Sequence, residues 1–369
     1  MAGTIRESGK TLLVEGNWGY DQFRIGSRSE TLVDCSKSTF VQQNDSTKSG
    51  GSNYYPVLLD KWKNDFELRG GTINGTISLT DDWSLVYGYQ DSSKGGNSAG
   101  VFGKDITGHM TISNWTIKQT FDGIRVNVPG ATKEDPTHFF TIRRCHIDKA
   151  RDDAVECDQG QAGLIEDCLF EDVFSGISIG DDNTPSSART RIVELRGVLL
   201  KMAVYSYRGQ PTQGPPFKVT RNSPSLLIRD SVIAVAATTD LDLNRLQTAF
   251  DNLKSGSSNN YFLNLTDDPL PRDYPTIPSA FRYLQGKAAR DHWSTVRNAW
   301  LKGGSVSSIP NVAEDTMPGR QPGIHYVLDI NPDSGAIRIK TDEAYTATVT
   351  VGAKNGLARA TSEVTLTIA

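Results

Sequence analysis

A row of polar side chains is the first chemical feature in the sequence. Four short segments alternate apolar and polar residues, as strands with one buried face do. The polar position between two apolar residues is occupied in turn by Arg125, Glu156, Ser178 and Lys218. If the segments pair side by side, these side chains point outward in one row at steps of about 4.8 Å. The next outward position is also polar, and its residues are Asn127, Asp158 and Thr220. Such a mixed row suits a linear, charged polysaccharide, although outward residues are also polar because they meet water.

Cationic and phenolic side chains in and around a long insertion before Lys218 suggest β-elimination. This reaction on a uronate needs a cation that neutralises the carboxylate, a base that removes the C5 proton and an acid that protonates the leaving oxygen. The residues assigned to these roles are Lys218 as base, Tyr205 or Tyr207 as acid, and Arg125 or Arg221 as cation. We assign substrate binding to other polar residues of the region, namely Glu156, Asn127, Asp158, Arg151, Arg208 and Arg221.

Four aspartates suggest a different reaction. Hydrolysis of a glycosidic bond uses two carboxyl groups, one protonated and one ionised. The same groups could hold Ca²⁺, which binds six to eight oxygen ligands. Aspartate is also common in turns, because its side chain bonds to the nearby backbone. We expect the four at equivalent strand ends on neighbouring turns of the fold, where they form the predicted metal site: Asp152, Asp153, Asp181 and Asp182.

Charge and composition argue against several classes of function. The chain carries 39 Lys and Arg against 43 Asp and Glu, so it lacks the excess of positive charge typical of nucleic-acid binding. Its sequence contains neither an uninterrupted apolar stretch long enough for a membrane span nor a glycine-rich phosphate-binding motif. Its 34 Gly, 16 Pro and only 4 Met favour turns and strands. We therefore expect a β-rich protein with no nucleic-acid partner, no membrane partner and no organic cofactor.

An imperfect repeat organises the middle of the chain. Its template is an apolar residue, a small or apolar residue three positions later, and an apolar residue two positions after that. The template begins at Leu68, Ile112, Ile142, Ile165, Leu195 and Ile228. Successive starts lie 44, 30, 23, 30 and 33 residues apart, which indicates a structural turn of about 23 residues with loops inserted in some turns. Because one such turn cannot bury an apolar face alone, the turns must stack in parallel around a shared core.

These repeats resemble a known class of fold. The segment FTIRRCHIDKARDDAVECDQGQAGLIEDCLFEDVFSGISIGDD is similar to turns of right-handed parallel β-helix proteins of the pectate-lyase-like and alginate-lyase-like type. The resemblance covers roughly residues 20–270 and implies an all-β, single-stranded right-handed parallel β-helix. Lyases, hydrolases, epimerases, phage depolymerases and adhesins use this scaffold, so the resemblance is more specific for fold than for activity.

The resemblance also favours one activity. Several alginate lyases on this scaffold use a lysine with an arginine or tyrosine, which agrees with the roles assigned around Lys218. Polygalacturonase-like hydrolases carry a GDD motif between NTD and GHG motifs, and here GDD occurs at Gly180–Asp182 without the other two. We therefore predict a polysaccharide lyase that cleaves a uronate-containing substrate such as alginate. The alternatives are a glycoside hydrolase with paired aspartates and a carbohydrate-binding or adhesin β-helix without catalysis.

The sequence also predicts an organisation into four parts. These are an N-terminal cap (1–60), the β-helix with a C-terminal bracing helix (61–304), a Ser/Pro/Gly-rich linker (305–323) and a small β-strand appendage resembling part of an Ig-like or cadherin-like module (324–369). The bracing helix is amphipathic, with one apolar face formed by Ala289, Trp293, Val296 and Trp300.

Cysteine spacing and the N-terminal sequence complete these expectations. The four cysteines lack the spacing of a zinc site, and Cys145 and Cys168 should stack inside the fold as small apolar side chains. The start of the chain has no signal-peptide pattern. We nevertheless expect a secreted monomer that binds an acidic polysaccharide, with Ca²⁺ as the one candidate cofactor.

Overall fold

A computed structural model of the chain describes most of its first 304 residues and four strands beyond them. The described residues are 3–43, 53–90, 97–128, 139–181, 184, 186–237, 242–304, 327–330, 337–340, 345–355 and 358–368. The predicted linker and Asp182 lie outside these ranges. The chain divides into two compact units, Met1–Pro310 and Asn311–Ala369.

The first unit consists mainly of short strands. In chain order its described strands are β1 (Thr4–Ser8), β2 (Thr11–Gly19), β3 (Phe23–Gly26), β4 (Leu32–Gln42), β5 (Val57–Asp60), β6 (Phe66–Arg69), β7 (Thr72–Gly75), β8 (Ala99–Lys104), β9 (Met110–Ser113), β10 (Thr116–Lys118), β11 (Asp122–Val126), β12 (Phe139–Arg143), β13 (His146–Asp148), β14 (Asp153–Glu156), β15 (Ala162–Glu166), β16 (Leu169–Val173), β17 (Ser175–Ser178), β18 (Ile192–Arg196), β19 (Leu199–Met202), β20 (Tyr205–Tyr207), β21 (Gln210–Thr212), β22 (Phe217–Lys218), β23 (Ser225–Arg229), β24 (Val232–Val235), β25 (Asn260–Asn264) and β26 (Phe281–Gln285). The described helices are α1 (Trp83–Gly88), α2 (Leu243–Asp251) and α3 (Gly286–Leu301), with a 3₁₀ helix at Ser186–Thr190.

Most of these strands lie in three faces of the β-helix, and the strands within each face pair in parallel. Face 1 contains β6, β9, β12, β15, β18 and β23. Face 2 contains β7, β10, β13, β16, β19, β24, β25 and β26, and the long strand β4 pairs with both β6 and β7. Face 3 contains β3, β5, β8, β11, β14, β17 and β22. A turn of the chain contributes one strand to each face, as β9, β10 and β11 do, so the predicted all-β parallel β-helix is confirmed.

The corner between faces 1 and 2 explains the repeat in the sequence. One residue with positive φ turns the chain at this corner, for example Asn114 (58°) and Asp167 (50°), and Gly197 (62°) provides the same turn without the steric cost of a Cβ. The residue after it points into the core and stacks on its equivalents in neighbouring turns. These buried corner residues are Trp115, Cys145, Cys168, Val198 and Ser231. The two cysteines are free, as predicted, and stack as small core residues.

Strands β2 to β5, which all end by residue 60, pair in parallel within the β-helix, so the predicted boundary between cap and β-helix at residue 60 is wrong. Strand β2 pairs in parallel with β4, and β3 pairs in parallel with β5 on face 3. Leu12 and Val33 already belong to the continuous apolar core. Strand β1 pairs antiparallel with β2 and is exposed along its length.

Helix α3 covers the outer side of face 2. Its buried residues Ala289, Trp293 and Val296 pack against a column of apolar residues that face 2 directs outward. Leu169, Leu199, Val232 and Tyr261 form this column, which follows the strand register. The predicted bracing helix is therefore present, and Trp300 packs partly buried at its end.

Two antiparallel strand pairs are described in the second unit. β27 (Val327–Ile330) pairs with β28 (Ile337–Lys340), and β29 (Tyr345–Asn355) pairs with β30 (Ala358–Ile368). Among the described helices of the chain, none combines the length and apolar character that a membrane span requires.

Candidate active site

The predicted row of polar residues is present on face 3. The strand register aligns Arg125 with Glu156, Glu156 with Ser178, and Ser178 with Lys218. On the other side of Arg125 the row continues with Phe102, and the Arg125 guanidinium carbon lies 5.6 Å from the centre of that ring. The apolar neighbours in these strands are buried, so the polar side chains are on the outer surface of the face. These neighbours are Ile124, Val155, Ile177 and Phe217.

Three carboxyl groups meet at this row, one of them that of Glu156 in the row itself. Asp122 and Asp153 are the first residues of β11 and β14, and the backbone N–H of Asp153 donates a hydrogen bond to Asp122 Oδ1 over 3.1 Å. One carboxylate oxygen from each of Asp122, Asp153 and Glu156 lies within 4.8 Å of the other two. The three residues are 1%, 3% and 6% exposed, respectively. We call them the acidic cluster, and their removal from water disfavours the charged form of each.

Two cations flank the acidic cluster. Lys218 Nζ lies 2.6 Å from Asp152 Oδ1 and 3.0 Å from Asp153 Oδ1. Arg125 Nη1 lies 2.8 Å from Glu156 Oε2. Because these side chains are largely buried, salt and water screen their ion pairs only weakly.

The environment raises the pKa of every carboxyl group in the acidic cluster. Burial raises the pKa of Asp122, Asp153 and Glu156 well above that of an ordinary carboxyl group, and neighbouring carboxylates raise each further. For Asp153 the ammonium of Lys218 opposes this rise, and for Asp122 and Glu156 the guanidinium of Arg125 opposes it. The hydrogen bond between Glu156 and Asp122 raises the pKa of Glu156 and lowers that of Asp122. The cluster thus crowds three carboxyl groups with raised pKa values between two cations.

The surroundings of Lys218 bear on its predicted role as a base. Burial alone would lower the pKa of Lys218, but Asp152 and Asp153 outweigh it and raise the pKa above that of an ordinary lysine. A lysine must be neutral to accept a proton, so this side chain is held in the wrong protonation state for a base. Its position suits compensation of carboxylate charge.

Among the described residues, the aspartates predicted to bind Ca²⁺ do not meet at one site, because Asp181 lies apart from Asp152 and Asp153. Asp153 opens β14 and aligns with Ser175, whereas Asp181 comes six residues after Ser175, about 20 Å further along an extended chain. Asp181 belongs instead to a turn in which its backbone N–H donates to Thr184 Oγ1. Asp152 and Asp153 already hold the Lys218 ammonium, so these residues do not fit the predicted metal site, and we derive no step through calcium.

The two tyrosines predicted as acids belong to the β20–β21 hairpin. The Tyr205 hydroxyl donates to the backbone carbonyl of Asp172 over 2.7 Å, and burial raises the pKa of Tyr205. The ring of Tyr207 stacks on Phe174, with ring centres 6.2 Å apart. Their contacts are those of side chains that hold the hairpin in place.

The predicted substrate-binding residues occupy several different environments. Arg151 is fully buried under the Tyr205 ring and donates to the carbonyls of Ser78 and Asp81, so its predicted substrate contact is wrong. Asp158 accepts a hydrogen bond from Ser178 Oγ over 2.5 Å. Asn127 is half-buried, and Arg208 and Arg221 are exposed. Glu156 alone of the six belongs to the acidic cluster.

Sequence reasoning assigned no role to Asp122, the member of the cluster on β11. A signal was present, because the segments DGIRV and DAVEC share one pattern in which Asp122 and Asp153 stand two residues before the first inward apolar residue. The strand register that aligned Arg125 with Glu156 also brings these two aspartates onto adjacent strands. Asp122 stands among the polar residues at the strand ends, but the sequence alone does not show which of these residues meet.

Comparison with known proteins leaves the function open. The chain has no match among the protein-family models, curated proteins or solved structures with which it was compared. The resemblance to pectate-lyase-like and alginate-lyase-like proteins therefore stays a prediction. The function has to be inferred from the chain's own residues.

Proposed function

We propose that the chain is a glycoside hydrolase whose polysaccharide substrate lies along the outer surface of face 3. The observation that carries this proposal is the acidic cluster, in which three nearly buried carboxyl groups hold oxygens within 4.8 Å of one another. Hydrolysis of a glycosidic bond needs one protonated and one ionised carboxyl group at close range. The ion pair of Asp153 with Lys218 and the hydrogen bond between Glu156 and Asp122 support that division.

Glu156 is the general acid in this proposal. Its pKa is raised by burial and by the carboxylate of Asp122, which favours the protonated form that can donate to the glycosidic oxygen. Asp122 accepts the hydrogen bond from Glu156 and in this way positions the acid. Arg125, bound to the other side of Glu156, stabilises the carboxylate that remains after the proton has left.

Asp153 is the ionised partner. The Lys218 ammonium 3.0 Å away favours its carboxylate form, which attacks the anomeric carbon as the leaving oxygen takes the proton of Glu156. A water molecule, deprotonated by Glu156, then hydrolyses the glycosyl ester and releases Asp153. Lys218 is therefore a positioning residue in this mechanism. Its ion pairs with Asp152 and Asp153 weigh against β-elimination with Lys218 as base, the reaction predicted from the sequence.

The substrate class follows from the chemistry of face 3. Its outer row contains Arg125 and Lys218 but also acidic side chains, so the surface is suited to a polysaccharide that carries both hydroxyl and carboxylate groups. A chain that degrades such a polymer is expected to act outside the cell, and we retain a secreted monomer as part of the proposal. The resemblance to polysaccharide-degrading β-helix proteins agrees with this substrate class.

The test is a screen that separates hydrolysis from elimination. The protein is incubated with alginate, polygalacturonate, glucuronan and xylan, and both reducing ends and the absorbance of unsaturated uronates are recorded. We expect new reducing ends without that absorbance on at least one substrate. An increase in the absorbance would overturn hydrolysis in favour of elimination, and no product from any polymer would favour a binding module.

A pair of variants ties the activity to the cluster. Asp153→Asn removes the proposed ionised carboxylate, and Glu166→Gln changes a partly exposed carboxylate on face 1 that pairs with Arg196. We expect Asp153→Asn to abolish product formation and Glu166→Gln to leave it unchanged. Equal activity of the two variants would contradict the assignment of Asp153.

A further inference from the structure

Exposed apolar residues concentrate around the short helix α1. Leu85 and Tyr87 lie on the helix and Tyr89 directly follows it, and these side chains are between 36% and 47% exposed. The ring of Tyr87 is nearly parallel to that of Trp83, with ring centres 4.8 Å apart and planes at 14°. Soluble proteins rarely place several large apolar side chains together on the surface without a use for them.

The β20–β21 hairpin adds a third ring to this surface. Tyr207 packs against Trp83, with ring centres 5.4 Å apart. The exposed guanidinium of Arg208 lies over the ring of Tyr207. Asp82, the residue that caps α1, accepts hydrogen bonds from Ser206 Oγ and from the Gly209 backbone N–H. The carboxylate thus holds hairpin and helix together, and we call Trp83, Tyr87 and Tyr207 the aromatic platform.

The aromatic platform adjoins the acidic cluster. Trp83 and Tyr87 both pack on Phe121, with ring centres 6.3 Å and 6.4 Å away, and Phe121 directly precedes Asp122 in the chain. Consecutive Cα atoms are only about 3.8 Å apart. On the next turns Phe174, under Tyr207, directly precedes Ser175, the register partner of Asp153. The platform and the cluster therefore follow the same edge of face 3.

We infer that the aromatic platform is a subsite that stacks on one pyranose ring of the polysaccharide, next to the ring whose bond is cleaved. A pyranose presents a face of C–H groups that packs on an aromatic ring, and hydroxyls at its rim that bond to neighbouring polar groups. Arg208 and Asp82 provide polar groups of both signs beside the rings. Continuity with the acidic cluster identifies the occupant as a sugar of the same chain.

This inference rests on the proposed function, but its test measures binding separately from cleavage. Electrophoresis in gels that contain alginate, polygalacturonate, glucuronan or xylan records retardation of the protein by each polymer. The variant Tyr87→Ala removes an exposed ring of the platform, and Tyr20→Ala removes an equally exposed tyrosine elsewhere, at 41% against 40% exposure. Circular dichroism checks that both variants are folded.

We expect the unaltered protein to be retarded by at least one polymer, Tyr87→Ala to bind that polymer about fivefold more weakly, and Tyr20→Ala to bind as the unaltered protein does. Tyr87→Phe should retain binding, because the ring is kept. Unchanged retardation of Tyr87→Ala, or no retardation of the unaltered protein by any polymer, would overturn the subsite. Retardation that depends on Tyr87 without any cleavage would support the subsite and overturn the hydrolase.

Discussion

Faces 2 and 3 both bury a carboxyl group on their outer side, with opposite consequences for its charge. On face 2, Glu171 is 5% exposed and accepts hydrogen bonds from His146 and from Arg297 of helix α3. Burial would raise its pKa, but these two partners outweigh it and lower the pKa of Glu171 to about 2. On face 3, Glu156 is buried to the same degree and its pKa is raised.

The difference lies in the ratio of cations to carboxylates. Glu171 is one carboxylate between two donors, whereas the acidic cluster crowds Asp122, Asp153 and Glu156, together with Asp152, around Arg125 and Lys218. A buried carboxylate whose charge is balanced by cationic donors stabilises a contact, and Glu171 does so between the bracing helix and face 2. An under-compensated group retains a proton that it can donate, and such groups are concentrated at functional sites.

Replacement of Glu156 should have the largest effect. Glu156→Gln keeps the shape of the side chain but removes the proton that it donates, so we expect turnover of the substrate found by the screen to fall about 1,000-fold. The stability of the fold should change little, because the glutamine amide oxygen can still accept a hydrogen bond from Arg125. Turnover by purified protein and urea unfolding measure the two effects. Retention of more than about a tenth of the activity would contradict the role of Glu156 as acid.

Replacement of Lys218 tests the ion pair that opposes the rise in the pKa of Asp153. Lys218→Met removes the ammonium that opposes the rise in the pKa of Asp153, so that pKa should rise further. Activity that depends on ionised Asp153 then declines at a higher pH, and we expect the acidic limb of the kcat/KM profile to move up by about one pH unit or more. The control is Lys201→Met, which removes a lysine paired with Asp172 on face 2. If the acidic limb of the kcat/KM profile stays at the same pH in Lys218→Met, Lys218 does not control the ionisation of Asp153.

The helix that covers face 2 should respond to acid through His292. This side chain of α3 is 5% exposed and stacks on Tyr261, with ring centres 4.1 Å apart, and burial lowers its pKa from 6.5 to about 4. The unfolded chain therefore binds a proton between pH 6.5 and 4 that the folded chain does not, so the stabilisation present above pH 6.5 is lost as the pH falls. The full shift corresponds to about 3 kcal/mol.

Urea unfolding of the unaltered protein and of His292→Leu between pH 7 and 4 isolates this contribution. The raised pKa values of the acidic cluster act in the opposite direction, but they are common to both proteins and cancel in the comparison. We expect the stability of the unaltered protein to fall relative to the variant over this interval. If the free energies of unfolding of the two proteins change in parallel with pH, His292 is protonated without loss of packing.

The sequence was sufficient to predict the fold and the row on face 3, because both depend on local alternation. The inward positions of Ile124 and Val155 set the register, and the register places Arg125 beside Glu156. The bracing helix was predictable for the same reason, since Trp293 and Val296 repeat at helical spacing. Each of these features follows from a pattern within a few residues.

The protonation states and the partners were not predictable in this way. Lys218 was a plausible base as an outward lysine, and only its contacts with Asp152 and Asp153, about two turns earlier in the chain, make it an ammonium. Arg151 lies next to Asp152, yet it is turned into the fold beneath Tyr205. Loop geometry decides such contacts, and loops follow no repeat.

The smallest expected effect is that of replacing Glu171, the compensated carboxylate on face 2. Glu171→Gln breaks the ion pair with Arg297, 126 residues away in the chain, and weakens the contact with His146. Because Arg297 is partly exposed and can regain water, we expect a loss of about 2 kcal/mol in urea unfolding with unchanged turnover. Glu166→Gln, which breaks a more exposed pair with Arg196, should cost less than about 1 kcal/mol. If Glu171→Gln instead reduced turnover as Glu156→Gln does, charge compensation would not separate structural from catalytic carboxylates in this β-helix.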